Sequence, residues 1–160
     1  MAKLTKPKGH VYGFFGKYEW LSNFYPAPCE IKSRLTCGFI IFPTVEHAFQ
    51  AQKVTNVQDL QKIINAPTPS KAKVIGRKVK LRSDWDEIKD TVMYECVLSK
   101  FKINTALRLK LIETKGELVE LNTWGDTYWG AVNIDGDVVG KNMLGNILQL
   151  VRQQIWDGVA

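Results

Sequence analysis

Histidine and cysteine are scarce in this 160-residue chain, and their scarcity narrows the chemistry. The two histidines, His10 and His47, lack HExxH spacing, so zinc catalysis is not expected and no metal-ligand set presents itself. The three cysteines, Cys29, Cys37 and Cys96, are odd in number and contain no CxxC pair. That argues against a disulfide framework and against a zinc site, and it fits a reducing cytoplasm. No apolar run approaches the roughly 20 residues needed to cross a bilayer, so no membrane partner is expected. The basic start, Met1 to Lys8, is not followed by an apolar segment, so a signal peptide is not expected, and residues 1–10 read as a flexible tail. Neither Gly-x-Gly-x-x-Gly nor GK[ST] occurs, which weakens Rossmann and kinase readings and leaves no cofactor to expect. Internal repeats, Gly/Ser-rich linkers and shifts in composition are also missing, so residues 11–160 read as one domain.

What is present is an ordinary globular composition, 45% hydrophobic and 24% charged, with a formal net charge of +6. Such a charge can favour nucleic acid, and equally a phosphorylated small molecule or nothing specific, so it does not choose a partner. Strand-like runs come first, at Val11–Phe15, Glu30–Ile31 and Cys37–Phe42. Helices follow. Thr44, Asn56 and Thr68 are placed as N-caps, the last before Pro69 at the first helical position. The longest helix starts around Asp84-Trp85-Asp86-Glu87 and carries Ile88, Val92, Met93, Cys96, Val97 and Phe101 on the 3.6 period. A helix over Leu107–Ile112, a strand over Leu118–Leu121, a turn at Ile134–Asp137 and a last helix from about Asn142 to Trp156 complete the chain. This order is not alternating βαβ; it predicts an α+β domain, mostly helical with a small sheet.

The segment Pro43 to Lys53 carries the most chemistry. Val45, Ala48 and Phe49 form an apolar face, while Glu46, Gln50 and Lys53 recur at i, i+4 and i+7 as a polar stripe. Such a stripe suits a pocket wall, and its plainer reading is a solvated face with a helix-start glutamate. The amide dipoles of the first turn would favour the ionised form of Glu46. Asp126 lies in the aromatic and glycine-rich loop Trp124–Gly130, where it also reads as a turn residue. Trp85, Trp124 and Trp129 are core candidates; Trp124 and Trp129 could instead stack a flat base, and Trp85 could wall a pocket or staple its helix. Lys53 and Arg77 are the favoured phosphate ligands, and Asn142 is placed to cap the last helix, whose N-terminus could hold an anion. His47 reads as structural, and Cys96 as core.

Taken in order, Gly13-Phe14-Phe15, Leu21–Pro26, the Glu46-His47 helix, Ala66–Pro69, Gly76-Arg77, Leu81–Trp85, Asn122–Gly130 and Gly140–Gly145 resemble the NADAR (YbiA-like) family. The likeness spans Val11 to Arg152. It implies an N-glycosidase that cleaves a nitrogen base or amine from a ribosyl phosphate or ADP-ribosyl group. It points to Glu46 and Asp126 as the catalytic carboxylates and to Asn23 as a substrate contact. Cleaving such a bond develops oxocarbenium character at C1′. One carboxylate can stabilise that charge, while another activates water or, when protonated, assists the leaving nitrogen. The expected partner is a small-molecule substrate, either a riboflavin-pathway intermediate or ADP-ribose on guanine, including ADP-ribosylated nucleic acid. No metal is expected. A non-catalytic module that binds ADP-ribose or nucleic acid is the rival reading. Two departures from the family pattern bear on the pocket: Thr123 stands where proline is usual, and the stretch from Trp129 to Gly140 is short.

Overall fold

Local capping decides where the central helices begin. Thr44 Oγ1 accepts from the His47 amide at 3.1 Å, Asn56 Oδ1 from Asp59 at 2.8 Å, and Thr68 Oγ1 from Lys71 at 3.1 Å. Each bond satisfies one orphan amide of a first turn, a contribution of about 1 kcal/mol. The computed structural model describes residues 9–160, so the expected tail lies outside the described residues apart from Gly9 and His10. In chain order the elements are β1 (Val11–Tyr12), a 3-10 helix (Gly16–Leu21), β2 (Cys29–Lys32), β3 (Phe39–Phe42), α1 (Val45–Ala51), α2 (Val57–Ile64), α3 (Pro69–Gly76), α4 (Trp85–Ile103), α5 (Thr105–Glu113), β4 (Leu118–Val119), β5 (Val132–Ile134), β6 (Asp137–Val139) and α6 (Met143–Trp156). The chain is therefore α+β, with helices outweighing its two-stranded sheets. Among the described residues no helix is long and apolar enough to cross a membrane. The chain packs as two compact units, Asn23–Thr105 and the described residues up to Ser22 together with Ala106–Ala160.

In the first of these, β2 and β3 form an antiparallel hairpin that pairs Cys29 with Phe42 and Lys32 with Phe39. β2 alternates with period two, Cys29 and Ile31 inward, Glu30 and Lys32 outward. β3 is shorter than the expected Cys37–Phe42, because Cys37 and Gly38 belong to the turn. α4 lies along β2, and the Cys29 thiol donates to the Cys96 carbonyl at 3.2 Å. α1 packs against α2, α3, α4 and both strands, and all seven of its residues are buried.

In the second, β1 and β4 run parallel, with Val11 opposite Leu118. The expected strand Val11–Phe15 stops at Tyr12, since Gly13 turns the chain at φ +90. A β-hairpin joins β5 to β6 across Asp135 and Gly136, both at positive φ, as a tight hairpin turn requires. α6 buries Leu144, Ile147, Leu148, Val151 and Ile155 along one stripe. Gly145 permits close packing on β4: a Cβ there would lie 2.0 Å from the Leu118 carbonyl.

Candidate active site

Within the unit Asn23–Thr105, the polar side chains of α1 are interior. Glu46 is 6% exposed, so the solvated-face reading of the stripe fails. Its amide donates to the Asn23 carbonyl at 3.1 Å, and its Oε1 accepts from Gln50 Nε2 at 2.8 Å. Burial raises the Glu46 pKa above the usual carboxylate value, outweighing the Gln50 hydrogen bond and the positive charges of Lys73 and Lys53, all of which lower it. This corrects the expectation that the helix start favours the ionised form. α1 is a single short helix, and desolvation of its first turn is the stronger influence.

His47, next in the chain, is structural. Its Nδ1 lies 2.8 Å from Thr44 Oγ1 and its Nε2 2.9 Å from the Ala66 carbonyl. A carbonyl can only accept, so Nε2 carries the proton and the Thr44 hydroxyl donates to Nδ1.

Lys53 follows α1 and is half-buried, its ammonium 5.6 Å from the Phe49 ring centre and 5.5 Å from that of Trp85. Burial lowers its pKa, Glu46 opposes this, and the like charges of Arg77 and Lys73 add to it. Trp85 is 6% exposed and meets Phe49 edge to face at 5.0 Å. Of its expected roles, pocket wall or helix staple, the structure gives a buried ring beneath Lys53. Asn23 is also buried, its Nδ2 3.4 Å from Met93 Sδ. Arg77 closes α3 and is exposed.

Three neighbours in this unit were given no individual role by the sequence reading, Gln50 having entered only as part of the polar stripe. Gln50 is the partner of Glu46. Lys73 acts on both Glu46 and Lys53, with its ammonium 5.7 Å from the Phe24 ring centre. Phe24 is the third. The usable signal was the i, i+4 spacing of Lys73 and Arg77 on a helix whose glycine, Gly76, faces α1.

In the other unit, the loop Asn122–Gly130 is tied by side chain to main chain. Asn122 Oδ1 accepts from the Asp126 amide at 3.0 Å, and Asn122 Nδ2 donates to the carbonyls of Asp126 at 2.8 Å and Ala131 at 3.1 Å. Asp126 Oδ1 accepts from the amides of Tyr128 at 3.0 Å and Trp129 at 2.9 Å. One carboxylate oxygen thus shapes the turn. Trp124 is 65% exposed at the loop's tip, whereas Trp129 is half-buried, edge to face with Tyr128 at 4.9 Å. The open indole is therefore Trp124.

Asn142 does not cap α6 with its side chain. It stands at φ 51, donating to the Leu118 carbonyl at 2.9 Å and accepting from the Glu120 amide at 3.0 Å. The amides of Met143 and Leu144 already donate to the carbonyls of Tyr128 and Trp129, at 3.0 and 2.9 Å. That helix start is closed by the loop, which overturns the expected anion site there. Among the described residues, no group of three His, Cys, Asp or Glu side chains is placed to hold a metal ion.

The family model described as the NADAR domain matches residues 13–156. The "N-glycosidase Npun_R5314" of Nostoc punctiforme is 34% identical over 151 residues, which cover 91% of each chain. The "Riboflavin biosynthesis protein VVA0006" of Vibrio vulnificus is 35% identical over 138 residues, covering 85% of this chain and 35% of that protein. The NMR structure of the E. coli protein YbiA superposes with a TM-score of 0.78 at 30% identity, covering 97% of this chain and 89% of that one.

Proposed function

The chain belongs to the NADAR domain family, is a hydrolase of the N-glycosidase kind, and on that premise we propose that it cleaves the bond from C1′ of a phosphorylated ribose to a nitrogen base or amine. The observation that carries the assignment of roles is Glu46, an interior carboxylate ringed by Gln50, Lys53 and Lys73. A carboxylate whose pKa is pushed up exchanges protons more readily near neutral pH than an ordinary one. In this reading Glu46 takes the proton of the attacking water as C1′ gains positive charge. Lys53, Lys73 and Arg77 meet phosphate, and Asn23 orients the segment before α1. For the other unit the reading keeps Asp126 as a functional carboxylate whose Oδ1 holds its loop, and Trp124 as an exposed indole able to stack a flat base.

The riboflavin name of the Vibrio relative favours a phosphoribosylamino-pyrimidine as substrate, with ADP-ribosylated guanine the second candidate. The test is a panel containing both, incubated with excess chelator and resolved for free base or amine. Release from at least one N-ribosyl phosphate, undiminished by the chelator, is expected. Binding without release across the panel would favour a non-catalytic module, and loss on chelation with recovery on adding a divalent ion would defeat the metal-free mechanism.

A further inference from the structure

Gln50 stands one helical turn after Glu46 and is itself 4% exposed. Its Nε2 donates to Glu46 Oε1 at 2.8 Å, and its Oε1 is buried without a hydrogen-bond partner. That second fact is unusual, because buried amide oxygens are nearly always paired. The oxygen lies against α3 at Gly76, where an added Cβ would fall 1.9 Å from Gln50 Oε1 and 2.7 Å from its Cδ. Gly76 has no positive φ to explain it, since it occupies a position inside α3. Its missing side chain is the space that the amide fills.

The orientation carries chemical information. As placed, the amide offers hydrogens to Glu46, which suits a carboxylate. Turned over, it would offer Oε1, which suits only a protonated Glu46 as donor. In either orientation one end of the amide rests on Gly76.

We propose that Gln50, wedged between Gly76 and Glu46, is a positioning residue that orients the Glu46 carboxyl and sets the pH range in which it works. This rests on the role of Glu46 proposed above and deepens it. Gln50 gives the charged form a hydrogen bond that burial does not supply. The titratable groups that bear on Glu46 are Lys73 from α3, Lys53 just beyond α1, and His47 beside it. Unlike these, Gln50 touches the carboxylate through a hydrogen bond.

The test follows the Glu46 carboxyl by NMR in the intact chain carrying 13C-labelled glutamate, with Glu46→Gln to identify the signal. Gln50→Met keeps the side-chain volume and removes the donor; Gly76→Ala keeps the amide and displaces it. In Gln50→Met the Glu46 midpoint should rise by about one pH unit, because a hydrogen bond to the charged form is lost. Gly76→Ala should move it the same way, and the pH–rate profile on an N-ribosyl substrate should follow. A midpoint within about 0.2 unit of wild type in folded Gln50→Met would overturn the proposal. A shift in that variant without one in folded Gly76→Ala would remove Gly76 from it. Should Gly76→Ala not fold, Gln50→Met decides alone. The titration needs no substrate, so failure of the N-ribosyl panel would defeat the proposed function and leave this result standing.

Discussion

At Glu46 two influences oppose each other: burial favours the neutral form, while Gln50, Lys73 and Lys53 favour the charged one. The direction of the balance is upward, so ionising Glu46 in the folded state costs more than in the unfolded chain. A carboxyl with a raised folded pKa contributes stability that is present below its unfolded value, about 4.3, and lost as pH rises through the folded value. Glu46→Gln should therefore melt above wild type at neutral pH, with the gap closing as pH falls toward about 4. An identical melting curve at both pH values would show that burial does not burden this carboxylate. Asp126 presents the complementary problem, since one of its oxygens already holds two amides. Asp126→Asn keeps that acceptor and should fold normally yet turn over slowly, whereas Asp126→Ala should also lose about 1–3 kcal/mol of stability. Full activity in Asp126→Asn would reduce Asp126 to a loop-forming residue.

Among the elements, the helices of the middle third were the most legible, because their caps are local. Thr44, Asn56 and Thr68-Pro69 each cap with atoms three residues away, and their starts were readable to the residue. Strand ends were less so. Gly13 and Gly38 stop β1 and keep β3 short by backbone turns that hydrophobic runs do not reveal. The polarity of α1 misled, since a stripe of Glu46, Gln50 and Lys53 signals solvent until three neighbouring helices and a hairpin are packed around it. α4 hides a similar case. Lys100 is 1% exposed, and burial pulls its pKa down to about 7, with the nearby Cys29 opposing. Charging it in place costs stability that is absent above about 10.5 and complete below about 7. Lys100→Met should be more stable than wild type near pH 6, with the difference shrinking as pH rises. A loss of stability at pH 6 would mean that contacts of the ammonium outweigh its desolvation. In the Asn122–Gly130 loop, Trp124→Leu should weaken substrate binding by about 1–3 kcal/mol and leave the melting temperature unchanged, as befits an exposed ring. An unchanged dissociation constant would remove Trp124 from the site.

For the molecule as a whole, the α+β class and the family were both readable from ordered blocks of residues, because those blocks run nearly from end to end. The geometry of the candidate site was readable only in part. Glu46 and Lys53 share a helix segment and so announce themselves, but Lys73 and Phe24 meet at a distance that only tertiary packing sets. Asn142 illustrates the opposite error: a residue placed like a cap has both ends of its amide taken by β4 and the residue after it. The central claim is that this N-glycosidase works through the buried carboxylate of Glu46. Its most direct test compares wild type with Glu46→Gln on an N-ribosyl phosphate that the wild type hydrolyses, measuring base release and substrate affinity together. Turnover should fall at least about 100-fold with affinity nearly unchanged, the size expected for removing a positioned acid–base group. A variant rate within a few-fold of wild type would contradict the claim.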